Sequence, residues 1–423
     1  MRILNAGIQA VEPGSAVRRF LQRRDDKLVI EGKEYQLFKD GRIRILGLGK
    51  AAYAMSLPLA EMLSDLSPRG LLISKHPPVR NLDGFEISTG GHPIPNEASL
   101  QAGQKAIEFI QHGGRNDLLI CLVSGGGSAL MSAPFPGISI ADLDELTSAL
   151  LACGARVDEI NTLRRHLDSL KGGGVARLAY PARVISLILS DVVNNPLEGI
   201  ASGPTAPDPS TREDTLAILE KYHLVEKTAR SILDVLKFAP ETAKPGDGIF
   251  EHVQNVIVGS NRQAAEAALE QAQAEGFAGT SLGNDWQGEA RLLAEPLCRH
   301  LVDPGRQRPF CLVAGGETTV TLHGNGTGGR NQELALAAVE LLAGQPDVLF
   351  VTLATDGEDG PTDAAGAVVS GDTLNRGRAL GPTPQAYLEN NDSHEYFRQL
   401  GDLLKPGPTG TNVNDLMLGF GFQ

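Results

Sequence analysis

Several short segments gather cations, carboxylates or bare backbone at spacings that suit chemistry on an anion. GLGKAA sets Gly47, Gly49 and Ala52 in G-x-G-x-x-A order with Lys50 inside the turn. After a strand, such glycines let backbone approach a pyrophosphate held at a helix N-terminus. Lys50 adds a positive charge there, which neutralises the spreading oxygen charge of a phosphoryl group and has less to do for a neutral hydride acceptor. The next strand ends in Ser74 and Lys75 instead of the acid that a dinucleotide ribose wants, although Lys75 could tolerate a 2'-phosphate. A second turn, SGGGSA from Ser124 to Ala129, places Gly126 between two other glycines and leaves amides uncovered by Cβ atoms, a nest for carboxylate or phosphate. It is neither a Walker loop nor a G-x-S-x-G elbow, so Ser124 and Ser128 are expected to bind substrate and not to attack it.

NTLRRHLDSLKGGG separates Arg164 and Lys171 by close to two helical turns, which predicts one face carrying both charges. Arg offers the fork that a carboxylate or phosphate takes in two hydrogen bonds. In LSDVVNNPLEGIASGPT, Asp191 stands at the end of an apolar run and can bind Mg²⁺, take a hydroxyl proton or cap a turn. Further on, AGGETTVTLHGNGTGGRNQELAL joins Gly315 and Glu317 to Arg330 and Asn331, and Asn414 lies in the polar TNVND segment near the end. TDGEDGPTDAAG crowds Asp356, Glu358, Asp359 and Asp363 into a glycine loop. Hard oxygen ligands there suit Mg²⁺ or Ca²⁺, with Asp356 and Asp359 as the candidate ligands; an acidic turn without metal is the alternative, and EF-hand spacing is absent. His92, in GGHPIPNEAS, is either a ligand contact or an ordinary loop histidine. There is no HExxH and no paired Cys/His spacing.

Positioning these groups requires strands. IRILGLGK, LLICLVSGGGS, VISLILSDV, CLVAGGE and VLFVTLATDGEDG are apolar runs without polar alternation, each stopping in a glycine or acidic loop. Runs of that kind suit strands covered on both faces, which predicts parallel strands in an α/β protein. Helices are expected from Lys50 to Leu63, from Asn96 to Ile110, and in the Ala-rich stretch after VQNVIVG that Ser260 could cap and Gly276 end. A region of mixed Pro, Lys and Gly around residues 234–248 is the candidate linker, dividing the chain into residues 1–240 and 241–423. At 423 residues, two or three domains with ample cores are expected.

The net charge of −13 opposes nonspecific binding of nucleic acid or anionic membrane, and one tryptophan with 5% aromatics gives base stacking little support. Any anionic ligand must therefore be held locally. Cys121, Cys153, Cys298 and Cys311 form no CxxC pair, and neither a leader-like start nor an 18-residue apolar stretch is found; a cytoplasmic protein is expected. The order of assembly, monomer or homodimer, is open.

Together these motifs resemble the glycerate 2-kinases that join an N-terminal glycerate kinase domain to a C-terminal MOFRL domain. The resemblance runs through GLGKAA, GGHPIPNEAS, VSGGGSAL, NTLRRHLDSLKGGG, LSDVVNNPLEGIASGPTAPDPST, VGSNRQA, AGGETTVTLHGNGTGGRNQELAL, TDGEDGPTDAAGA and TNVND, nearly the whole chain. It implies a Rossmann-like α/β domain over 1–240, a second α/β domain over 241–423 holding the MOFRL region at about 310–418, and a reaction in the cleft between them. The implied reaction moves the ATP γ-phosphoryl group to the 2-hydroxyl of D-glycerate with Mg²⁺. Lys50 and Asp191 take the catalytic positions; Arg164, Lys171, Ser124, Gly126, Ser128 and Arg330 bind substrate; Gly47, Gly49, Gly315, Glu317, Asn331 and Asn414 bind nucleotide. Similar proteins are often labelled hydroxypyruvate reductases, and GLGKAA keeps an NAD(P)H-dependent 2-hydroxyacid reductase as an alternative, beside a noncatalytic sugar-acid binding protein. Two departures stand out: Asn194 and Asn195 replace Gly-Asp or Gly-Asn, and SHEYF from Ser393 to Phe397 replaces SYxFF.

Overall fold

A computed structural model describes residues 1–78 and 80–423. The chain packs as two compact units: Pro13–Ser190 with Asn195–Val258, and Gly259–Gln423 with Met1–Glu12 and Asp191–Asn194. The first unit opens on a small antiparallel sheet of β1 (Leu21–Arg24), β2 (Lys27–Ile30) and β3 (Lys33–Gln36). Its main sheet has six strands: β4 (Ile43–Leu48), β5 (Arg69–Ser74), β6 (Phe85–Thr89), β7 (Leu118–Val123), β8 (Arg183–Leu189) and β9 (Val253–Gly259), in the spatial order β6-β5-β4-β7-β8-β9. The register from β6 through β8 is parallel throughout. Counted from β4 this is 3-2-1-4-5-6, the doubly wound order, with its reversal between β4 and β7. All six residues of β7 are buried, as two-sided cover by helices demands. β9, read in the sequence as the opening of the second half, hydrogen-bonds at the edge of this first sheet.

Helix Ala52–Met62 follows β4, and helix Glu97–Ile110 begins where a capping box forms: Asn96 Oδ1 accepts from the Ser99 N–H, and Ser99 Oγ accepts from the Asn96 N–H. Helix Val157–Leu167 buries Ile160, Leu163 and Leu167 against Leu219, Ile232 and Leu236. Each contributes at most about 1.5–3 kcal/mol of apolar burial. That spacing commits one stripe to the core, and Arg164, four residues after Ile160 and three before Leu167, flanks that stripe half-buried.

The second unit has a seven-stranded sheet: β10 (Ala278–Ser281), β11 (Trp286–Glu289), β12 (Phe310–Thr319), β13 (Val348–Ala354), β14 (Gly366–Ser370), β15 (Leu403–Leu404) and β16 (Asp415–Gly421), ordered β10-β12-β16-β13-β14-β15 with β11 also on β12. The all-parallel expectation fails here. β16 lies between β12 and β13 and runs antiparallel to both. A continuous apolar run reports cover on both faces and says nothing of strand direction, so CLVAGGE and VLFVTLATDGEDG misled on that point. Helix Asn261–Ala274 ends before Gly276, which has φ +91°, as expected; Ser260 sits at its N-cap, but its hydroxyl donates to Gln263 Oε1 instead of accepting a backbone N–H. Helix Arg2–Ala10 packs on it through Gly7, whose missing side chain would stand 3.1 Å from the Ala264 carbonyl oxygen. No described helix is long and apolar enough to cross a membrane.

Candidate active site

At the sheet reversal, connections leave β4 and β7 in opposite senses and open a crevice at the strands' C-terminal ends. Both glycine turns stand there, laced together. Gly49 has φ +117°, and a Cβ on it would fall 2.3 Å from Ser124 Oγ. Ser124 is buried; its hydroxyl accepts the Ala51 N–H at 3.0 Å and reaches the Leu48 carbonyl. The remaining amides of the first turn are also spent: Gly49 on Ile73, Lys50 on Gly125 and Ala52 on Gly49 carbonyl oxygens. Gly47 serves packing, since a Cβ there would meet Leu72 at 2.5 Å. The GLGKAA turn therefore has no free amide for a pyrophosphate, and Ser124 ties the two turns together, facing inward.

The nest lies in the second turn. Among the described residues the N–H groups of Gly125, Gly126 and Ser128 meet no acceptor. Gly126, at φ +85°, has no room for a side chain, because His92 would stand 2.9 Å from a Cβ. Beside this nest the Lys50 side chain is exposed, and neither Lys50 nor Lys75 has an ion-pair partner among the described residues. Their field is felt by His92: burial lowers its pKa first, and Lys50 and Lys75 lower it further. Ser128 Oγ lies 2.8 Å from Ser202 Oγ. Ala201, Ser202 and Gly203 all hold positive φ (49°, 60° and 60°), a strained run of the kind that clusters at working sites.

Ser128 also lines a cavity of about 50 Å³ with Ser132, Arg164 and Lys171 on one side and the Pro93–Ile94–Pro95 turn, Ile140 and Leu143 on another. Helix Val157–Leu167 ends before Lys171, so the two cations do not share a helix face; a turn at Asp168 brings Lys171 back to the same cavity. Arg164 makes no hydrogen bond or ion pair among the described residues, and burial pushes its guanidinium below the usual arginine range. Lys171 is buried against Asp168 and the Met131 carbonyl oxygen, 3.3 Å away. Burial lowers its pKa, Asp168 opposes that, and Arg164 adds to it. The adjacent Arg165 and His166 are spent inside the fold on Asp208 and Glu241.

Asp191 follows β8 by two residues, half-buried. Asn194 and Asn195 have φ of 63° and 52°, the left-handed region that glycine enters freely and asparagine tolerates.

In the second unit Arg330 joins Glu317 (2.9 Å) to Asp415 (2.7 Å). Burial pushes the Asp415 carboxyl up to about 6 even though Arg330 and Asn331 pull it down. Asp359 accepts the N–H groups of Asn331 (3.0 Å) and Gln332 (2.8 Å), so its two oxygens cap helix Arg330–Leu341. Its pKa is raised by burial against those bonds. Asp356 Oδ1 accepts the Glu358 N–H. Gly315 gives way to Asn261, whose Oδ1 would be 1.7 Å from a Cβ there. Asn261 Nδ2 donates to the Val413 and Asp415 carbonyl oxygens, while its Oδ1, with Asn284 Oδ1 and Asn331 Oδ1, accepts no hydrogen bond. Asn414 is buried with φ 68°. Among the described residues no three His, Cys, Asp or Glu side chains converge as a metal cage.

Sequence reading passed over Asp168 and Ser132 and left His92 undecided. The turn after Leu167 carries Asp168 to the cavity that Ser132 also lines, and His92 stands against Gly126 in the nest; neither placement leaves a spacing signal.

The family described as "Domain of unknown function (DUF4147)" matches residues 1–237, and the MOFRL family matches 310–415. A D-glycerate 2-kinase of Thermotoga maritima is 39% identical over 99% of this chain and 97% of its own length. A glycerate 2-kinase of Pyrococcus horikoshii is 38% identical over 99% and 96%. A relative in Agrobacterium vitis, 36% identical over 98% and 92%, carries the name hydroxypyruvate reductase. The crystal structure of Thermotoga maritima glycerate kinase is similar with a TM-score of 0.88 at 37% identity, covering 99% of this chain and 98% of that one.

Proposed function

The chain belongs to the glycerate kinase family, and from that premise we propose that it transfers the γ-phosphoryl group of ATP to the 2-hydroxyl of D-glycerate, giving 2-phosphoglycerate and ADP. The observation that carries the roles is the set of unpaired cations, Lys50, Lys75 and Arg164, around a nest of free amides in a protein of net charge −13. Phosphoryl transfer through a loose transition state needs positioning and charge compensation more than an activated nucleophile. In this reading the Gly125, Gly126 and Ser128 amides and Lys50 receive the transferring phosphoryl oxygens. Arg164 and Lys171 take the acceptor carboxylate, with the Ser128 hydroxyl between the two groups. Asp191 orients the 2-hydroxyl and accepts its proton.

The nucleotide is assigned to the second unit's polar network of Gly315, Glu317, Asn331 and Asn414, with Arg330 for its phosphates. The unsatisfied carboxamide oxygens nearby suit an amine donor such as that of adenine. The proposed transfer must exclude water from the reacting phosphoryl group, so that ATP hydrolysis does not compete. Mg²⁺ would enter as the companion of ATP. Asp356 and Asp359 do not fit a resident metal cage, because Asp359 is committed to its helix.

Against hydride chemistry, every amide of the GLGKAA turn is already bonded, so a dinucleotide pyrophosphate has no donors there. Phosphorus NMR of the product from ATP and D-glycerate tests the reading: a 2-phosphoglycerate resonance is expected. Hydroxypyruvate-dependent NAD(P)H loss without ADP would overturn it. Asp191→Asn in a Mg²⁺ titration tests the base: activity should fall with an unchanged metal requirement, and rescue by excess metal would move Asp191 to the ion.

A further inference from the structure

We propose that Asp168 is a positioning residue for the acceptor anion: it keeps the Lys171 head group at the cavity wall as an ammonium, and so sets the pH range over which the acceptor is bound. This rests on the assignment of Arg164 and Lys171 to the acceptor carboxylate. Asp168 is itself anchored. Its Oδ2 accepts Ser132 Oγ at 2.9 Å and the Ala133 N–H at 2.8 Å, and its Oδ1 accepts the Leu170 N–H at 2.9 Å. With three donors of its own, the carboxylate keeps its place whether or not Lys171 is present, which makes it a fixed counter-charge. The ammonium donates to Asp168 Oδ2 and the Met131 carbonyl, and has one N–H left for the cavity that it lines.

The charges facing Lys171 are few. Asp168 is the one in contact, Arg164 is a like charge in the same cavity, and Asp144 lies exposed on the rim where solvent screens it. Burial and Arg164 both favour the neutral amine, and only Asp168 opposes them. Without that charge the buried lysine loses its proton at a lower pH, and the pocket loses one of its two cations while its shape remains. Arginine does not deprotonate in proteins, so a guanidinium at 171 would not need Asp168 to stay charged.

The test is KM for D-glycerate at saturating ATP between pH 6 and 9, together with calorimetric titration of D-glycerate alone. Wild type should be flat over this range. In Asp168→Asn, KM should climb by about tenfold per pH unit above a new midpoint, the slope of one titrating group, while kcat stays within about threefold. Asp168→Asn combined with Lys171→Arg should be flat again. A KM raised equally at every pH, or a slope that survives the arginine, would overturn the inference and leave Asp168 as a turn-former. If Asp168→Asn does not fold, the ¹⁵Nζ resonance of Lys171 in the wild-type protein, assigned through Lys171→Arg, decides: an ammonium at pH 8 supports the proposal and a neutral amine refutes it. A wild type that neither binds nor phosphorylates glycerate would instead bring down the functional reading beneath it.

Discussion

Arg164→Met should weaken the acceptor and strengthen the fold at once. The guanidinium faces the cavity without a partner, so in the ligand-free protein its charge is partly desolvated and uncompensated. A bound carboxylate would supply the missing hydrogen bonds, and charge-assisted bonds contribute about 1.5–3 kcal/mol. Their loss predicts KM for D-glycerate higher by about tenfold to a hundredfold, with kcat little changed if the contact is equal in ground and transition states. Methionine keeps the unbranched stem of the side chain and the helix propensity at this interior position of Val157–Leu167, and removes the charged head that faces the existing cavity. Removing the unpaired charge should then return about 1 kcal/mol, a rise in Tm of about 2–4 °C for a unit of this size. Steady-state kinetics and a thermal melt on the same preparation read both signs. Wild-type KM with a lowered Tm would refute the reasoning and make Arg164 structural; a large kcat loss at unchanged KM would move it to the transferring phosphoryl group.

Lys50→Ala should lower kcat by about 10² or more, the range for one preorganised electrostatic donor, with Tm unchanged because the side chain is exposed and unpaired; near-wild-type kcat would remove Lys50 from the chemistry. Asp117 is buried, which favours its neutral form, yet the N–H groups of Arg42 and Gly114 and the Arg42 and Arg44 side chains outweigh this and hold its pKa at about 2, against an ordinary 3.8. A depressed pKa contributes stability above the ordinary value that is lost as pH falls through the folded one, here about 2 kcal/mol between about pH 4 and pH 2. Asp117→Asn should therefore lose stability at pH 7 and flatten acid unfolding in that window, as followed by circular dichroism. Asp359→Ala should cost about 2 kcal/mol or more in urea unfolding, because two helix N–H groups lose their acceptor; unchanged stability with a new Mg²⁺ requirement would restore the metal reading of that loop.

What could be read from the residues was what glycine and burial impose directly. The two turns after β4 and β7 were legible because a positive φ or a close approach leaves glycine as the residue that fits, and Lys50 because it interrupts such a turn. Free amides were expected in both turns and only the second keeps them, since sequence spacing does not show which N–H groups neighbouring acceptors consume. Arg164 and Lys171 do share a cavity, although by a turn and not along a helix. Asp359 illustrates the opposite failure: oxygen-rich loops that hold a metal and loops that cap a helix have the same composition, and only the Asn331 and Gln332 amides separate them.

The position of β16 constrains how the polypeptide can be made. The strand sits between β12 and β13 yet occupies residues 415–421, so the centre of the second sheet is the last part of it to leave the ribosome. Until then β12 and β13 each expose an unpaired edge along a run of buried apolar residues, the surface most prone to intermolecular pairing. The doubly wound sheet can form while synthesis continues, since its last strand ends at Gly259. The MOFRL sheet must wait, and a nascent chain halted before Asp415 should show protease protection in the first sheet and none in the second.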